Sequence, residues 1–300
     1  MTLSYRAGGI DDSQAAFEVF LEAMLDLGRR IGSMPITGGD DPRVIPRLWE
    51  ARRSLFEHLA NTADQFWVAE RGPQVVGYAR STLRDGVRQL TEFFVRPGEQ
   101  SQGVGRELLS RAFPTRGARR RTIVATTDTR AQARYLKSGV TPTFPIAYFS
   151  KPAEGSAIST DLDFEPVSSS MAVLESLRTV DENVLEVRRD ADHAWLLSER
   201  AGYLYRRGGR VVGYGYLGPS AGPFALLDPR DYAAVLAHAE AEAAHRGADF
   251  GVEVPLVNRA AVDFLLGRGF RMDSFLALFM ADVPFGRFDR YLFTSPPFFL

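Results

Sequence analysis

The sequence predicts a mixed α/β fold written twice, and three observations carry that expectation. Helix-period apolar stripes alternate with short apolar runs of strand length. The string Arg71-Gly72-Pro73-Gln74-Val75-Val76-Gly77-Tyr78 returns as Arg207-Gly208-Gly209-Arg210-Val211-Val212-Gly213-Tyr214, and the segment 128–140 returns as 258–270 in the same order. At 300 residues the chain is also long for one hydrophobic core and comfortable for two.

The first copy opens with a short strand around Leu3 to Arg6. A helix follows with Phe17, Phe20, Leu21 and Met24 on one face. A Gly- and Pro-rich loop, 32–46, separates it from a second helix carrying Leu48, Leu55, Phe56 and Leu59. Phe66 to Glu70, a Gly-Pro turn and Val75 to Leu83 read as a hairpin. The core strand Gln89 to Val95 then runs into a loop with Gly103 and Gly105. That loop opens a helix with apolar residues at 104, 108, 109 and 112.

The second copy repeats this order with one piece missing. The offset between copies is 136 residues at the first echo and 130 at the second. The loss falls where the glycine loop belongs: Phe224 to Pro229 leads directly into a helix with Tyr232, Val235, Leu236 and Ala239 on one face. Leu265 stands where the first copy has Tyr135. The expected organisation is a first domain over 1–152, a linker over 153–163 and a degenerate second domain over 164–300. The short linker predicts copies packed together, not tethered beads.

Composition excludes several classes of function. Lys and Arg total 36 against 37 Asp and Glu, and the sequence pI is near 6.5. That balance argues against nucleic acid or an anionic membrane as the main partner. The chain has no cysteine, which excludes disulfides and thiolate chemistry. Its four histidines, His58, His193, His238 and His245, lack metal-ligand spacing, so no metal is expected. There is no basic-then-apolar leader and no run of 18 apolar residues, which makes a cytoplasmic protein the expectation. A homodimer is left open.

The loop at 100–105 carries the functional signal. A strand running into a glycine turn at a helix start leaves backbone N–H groups converging on one spot, a ready anion site. A nucleotide-triphosphate loop is ruled out because Arg106, with no lysine-serine pair, follows Gly105. A dinucleotide fingerprint is ruled out because position 108 is leucine. The spacing that fits is Q-x-x-G-x-G at Gln100, Gly103 and Gly105. It resembles the pyrophosphate loop of the GNAT N-acetyltransferases. The helix from Asp128 also resembles that family's N-x-x-A-x-x-x-Y-x-x-x-G-F pattern, with Ala131, Tyr135 and Gly139 in place. Asp128 replaces the asparagine and Val140 the aromatic, and an ionised Asp accepts hydrogen bonds but cannot donate.

The resemblance implies two tandem GNAT-like domains, each a mixed, mostly antiparallel sheet flanked by helices. It implies acetyl-CoA as co-substrate, held by Phe93, Phe94 and Val95 along the strand and by Gln100, Gln102, Gly103, Val104, Gly105 and Arg106 at the loop. Asp128 would meet the pantetheine. Tyr135 would protonate the departing sulfur, since a phenol is protonated at neutral pH; packing its ring in the core is the alternative. Glu92 would act as base, or else pair with an arginine, because a carboxylate on an apolar strand calls for an explanation. The apolar end 291–300 is expected to pack against the other copy, and the Leu300 carboxylate is a further candidate base. The cluster Arg116, Arg119, Arg120 and Arg121 is either a solvated helix end or a 3′-phosphate contact. Asp40, Asp41, Glu50 and Asp85 could attract a cation.

The expected activity is acetyl transfer to a primary amine of a small molecule or peptide by direct attack. A non-catalytic acyl-CoA sensor and an O-acyl or longer-chain transferase are the alternatives.

Overall fold

The computed structural model describes residues 2–32, 43–155, 158–295 and 297. The chain divides into two compact units, Met1–Thr141 and Pro142–Leu300.

The first unit follows the predicted order: β1 (Leu3–Ala7), α1 (Ser13–Ile31), α2 (Ile45–Asn61), β2 (Gln65–Arg71), β3 (Gln74–Arg84), β4 (Val87–Val95), α3 (Val104–Ala112), β5 (Arg120–Thr126) and α4 (Thr129–Lys137). Its strands lie in the order β1-β2-β3-β4-β5. All neighbours are antiparallel except β4 and β5, which are parallel. The turn at Gly72-Pro73 closes the β2–β3 hairpin, with Arg71 opposite Gln74. One face is packed by α1 and α2 through Phe17, Phe20, Trp49 and Phe56. That aromatic cluster reaches β4 at Phe94, whose ring lies 5.1 Å from Phe20 and 5.9 Å from Tyr78.

The second unit holds β6 (Thr141–Pro152), β7 (Asp163–Val167), α5 (Met171–Val184), α6 (Asp190–Glu199), β8 (Ala201–Arg207), β9 (Arg210–Leu217), β10 (Phe224–Leu226), α7 (Tyr232–His245), β11 (Asp249–Pro255), α8 (Arg259–Gly267), β12 (Arg271–Ala281) and β13 (Tyr291–Leu292). Its strands run β13-β10-β9-β8-β7 and β12-β6-β11. The sequence echo would end the first copy at 152. The compact units divide earlier because β6 ladders with β11, from Asp249↔Pro152 to Pro255↔Ile146. The core packs Phe149, Tyr205, Phe224, Tyr232, Leu236 and Phe250, all buried.

Among the described residues, no helix is long and apolar enough to cross a membrane. No group of three or more His, Asp or Glu side chains among them could hold a metal ion.

Candidate active site

Strand β4 is where the first unit opens. It follows β3 through Gly77↔Val95, Tyr78↔Phe94, Ala79↔Phe93 and Arg80↔Glu92. On its other edge it pairs with β5 only from Val87↔Arg120 to Leu90↔Ile123. From Thr91 onward the two strands part, leaving a wedge with one wall made of β4 main chain. The Arg96 N–H donates to the Val76 carbonyl at 2.9 Å. Main-chain groups alternate in direction along such a ladder, so those of Phe94 face β3 and those of Phe93 and Val95 face the wedge. Phe93 and Phe94 are accordingly only half-buried, although they stand on an interior strand.

The loop after β4 holds a row of open donors. Gly103 adopts φ +88, a conformation that favours glycine, and caps α3. Its carbonyl accepts the N–H groups of Arg106 at 3.0 Å and Glu107 at 3.2 Å. Among the described residues, the N–H groups of Ser101, Gln102, Gly103, Val104 and Gly105 donate to nothing. Five consecutive orphan donors at a helix start fit a diphosphate, which supplies the acceptors they lack. A Cβ at Gly103 would stand in open space, whereas one at Gly105 would meet the Phe93 ring at 3.0 Å. Gly103 therefore sets the backbone, and Gly105 lets α3 lie close on β4.

The loop's side chains brace it. Gln100 Nε2 donates to the Val95 carbonyl at 3.0 Å, and Gln102 Nε2 to the Gly98 carbonyl at 3.3 Å. Arg71 joins Glu99 at 2.6 Å and Gln102 Oε1 at 3.2 Å. Sequence reasoning missed Arg71, although its place in the repeated string marks it: Arg207 makes the corresponding pair with Asp231 at 2.8 Å. Arg106 is exposed and without a charged partner among the described residues.

Tyr135 lies on the same face of β4 as α3, its ring edge-on to Phe93 with centroids 6.1 Å apart. Among the described residues its hydroxyl makes no hydrogen bond. Burial first, then the nearby Asp128 carboxylate, pushes the phenol well above its ordinary pKa. It is firmly protonated at neutral pH.

Asp128 and Glu92 are both engaged inside the protein. Asp128 caps α4 by accepting the Arg130 N–H at 3.0 Å and pairs with Arg30 of α1 at 2.9 Å. Burial pushes its carboxyl up, but the Arg30 and Arg130 bonds more than offset that and hold it below the usual range. Glu92 lies on the opposite face from Tyr135 and is wholly buried. It accepts from the Tyr78 hydroxyl at 2.9 Å and from Arg80 Nε. Arg80, also fully buried, donates further to the Phe56 carbonyl at 2.8 Å. Of the two sequence readings of Glu92, the arginine pairing is the one with a visible partner.

The arginine cluster is dispersed. Arg121 turns inward to the Ser138 carbonyl at 2.8 Å, and Arg119 pairs with Asp85 at 3.2 Å. Asp40, Asp41 and Phe298 to Leu300, including the terminal carboxylate, lie outside the described residues.

The second copy fills the place of the wedge with its own chain. Strand β13 pairs with β10 through Phe224↔Leu292 and Ala225↔Tyr291. On the other side, the Phe293 N–H donates to the Glu253 carbonyl of β11 at 3.0 Å. Tyr291, Leu292 and Phe293 are fully buried. Asn258, the counterpart of Asp128, gives its amide to the Tyr291 carbonyl at 3.3 Å. Residues 291–293 thus pack within their own unit, between β10 and β11. The cause is the gap between β10 and β11, whose open backbone edges the segment satisfies.

Residues 36–140 match the sequence model of the acetyltransferase (GNAT) family. A candidate acetyltransferase from Pyrococcus horikoshii has a similar fold, with TM-score 0.74 and 16% identity over 96% of this chain and 92% of its own. A tandem GNAT protein from the clavulanic acid biosynthesis pathway aligns at TM-score 0.59 and 12% identity, covering 94% and 99%. A GCN5-related N-acetyltransferase from Sphaerobacter thermophilus aligns at 0.57 and 13%, covering 95% and 97%. No curated protein matches the chain. Residues 36–140 thus match the model of the GNAT family of acetyltransferases, and the fold of the chain is similar to that of a tandem GNAT protein.

Proposed function

We propose that the first copy transfers an acetyl group from acetyl-CoA to a primary amine by direct attack, and that the second copy binds no coenzyme. The observation that carries this reading is the row of five orphan N–H groups, Ser101 to Gly105, beside a wedge lined by the main chain of Phe93 and Val95. The loop would hold the diphosphate. The Phe93 and Val95 main chain would align the pantetheine and the thioester oxygen, so that much of the rate comes from positioning. The neutral amine nitrogen bonds to the acyl carbon and the C–S bond breaks. Tyr135 gives its proton to the sulfur, the amine's surplus proton leaves to water, and Tyr135 regains a proton from water. The products are an amide and the free thiol of coenzyme A.

A sensor that binds acyl-CoA without turnover is the second reading, favoured by the engagement of both Glu92 oxygens. Acetyl-CoA consumption across a panel of amines and peptide N-termini separates the two. In Tyr135→Phe, coenzyme binding should stay near wild type while turnover falls at least about 10-fold, within the usual range of acid–base assistance. Unchanged turnover in that variant removes Tyr135 from the chemistry.

A further inference from the structure

Helix α2 carries one inward side chain that its packing does not explain. Leu48, Trp49, Leu55, Phe56 and Leu59 form its core-facing stripe, spaced by three and four, and Arg52 falls in the middle of it. Trp49 and Phe56, on the turns before and after, both pack against Phe17 of α1 with centroids 5.4 and 5.5 Å away. Arg52 is half-buried. Its neighbours at three and four residues are Leu48, Trp49, Leu55 and Phe56, none of which carries a charge.

Among the described residues, the Arg52 guanidinium makes no hydrogen bond or ion pair. Burial lowers its pKa. Other arginines nearby are matched: Arg53 pairs with Glu57 at 2.7 Å, and Arg80 with Glu92. In the second unit, Arg189 beside α6 is held by Asp181 at 2.8 and 3.1 Å. A shielded cation with no counter-charge among the described residues is a net cost to the free protein.

Its position suggests what offsets that cost. The face of β4 toward α1 and α2 carries Phe94 and Glu92, with Phe20 linking Phe94 at 5.1 Å to Phe56 at 5.8 Å. The open donors and Tyr135 occupy the opposite face, toward α3 and α4. A coenzyme bound there leaves the α1–α2 face for the acceptor. We propose that Arg52 binds a carboxylate on the acceptor in the bidentate geometry a guanidinium favours. The acceptor is then an amine that also bears a carboxylate, of the amino-acid class, with its apolar part against Trp49. This rests on the acyltransferase reading of the same site.

The test uses matched acceptors, amino acids beside their amides and their decarboxylated amines. The wild type should prefer the carboxylates by about 10- to 100-fold in kcat/KM, the range for a hydrogen-bonded charge pair. Arg52→Gln should bring that ratio near one, mainly through acceptor KM, and Arg52→Lys should restore part of it. Equal use of carboxylate and amide by the wild type, or a ratio unmoved in Arg52→Gln, overturns the inference. A second arm needs no turnover: N-acetyl amino acids at millimolar concentration should raise the melting temperature of the wild type and not of Arg52→Gln. No shift in the wild type overturns the inference by itself. Failure to bind acetyl-CoA would instead remove the acyltransferase reading, and the melting arm would still read Arg52.

Discussion

Glu92→Gln separates a structural carboxylate from a catalytic one. Glu92 and Arg80 are both wholly buried and face each other. The Arg80 guanidinium also lies over the Phe56 and Phe66 rings, 5.0 and 5.2 Å from their centroids. The amide keeps the volume of the acid but removes its charge, so Arg80 is left buried and uncompensated. Removing one partner of a buried pair costs about 3–5 kcal/mol. At roughly 2–4 °C per kcal/mol, melting should fall by about 6–20 °C. The assay is a thermal melt followed by circular dichroism, with turnover measured well below the variant's transition. Replacing both partners, Arg80→Met with Glu92→Leu, should recover much of the lost stability, because no charge then remains unpaired. A wild-type melt together with a loss of turnover of about 100-fold or more would refute this reasoning and return Glu92 to the role of base.

Three further outcomes follow from the geometry. Gly103→Trp places bulk in the space before the open donors, at a backbone φ of +88 that disfavours a side chain. Calorimetry should show acetyl-CoA binding to the wild type at one site per chain and to this variant at none; a second wild-type site would contradict the filling of the second wedge by β13. Glu253 is buried on β11, and burial first, then Asp273, raises its carboxyl from 4.5 to about 8. The folded protein holds that proton where the unfolded chain has lost it, so stability is full below about pH 4.5 and falls by about 1.4 kcal/mol per pH unit up to about 8. Glu253→Gln should flatten the slope of urea-unfolding stability over that window, and an unchanged slope would assign it to other groups. Arg71→Met should raise the KM for acetyl-CoA several-fold with kcat nearly unchanged, because Arg71 braces the loop through Glu99 and Gln102; a loss confined to kcat in steady-state kinetics would contradict that role.

Much of the molecule was legible in the residues themselves. Gly103 and Gly105, the apolar stripe of α3, the hairpin around Gly72-Pro73 and the duplicated order all act through local backbone freedom and periodicity, which a linear string records directly. What the string does not record is which distant segment reaches an open edge or an unmatched charge. Asp128 meets Arg30 from 98 positions away, and Glu92 meets Arg80 only because the β3–β4 register sets them opposite. The gap between β10 and β11 is closed by a strand from the far end of the chain, and β6 ladders with β11, far from it in sequence. The sequence determined where five neighbouring amides are left open at a helix start, because two glycines and a local turn suffice for that. Tertiary structure alone decided which carboxylates are already matched and which wedge is left open, because each depends on long-range pairing among segments that local preference leaves equivalent.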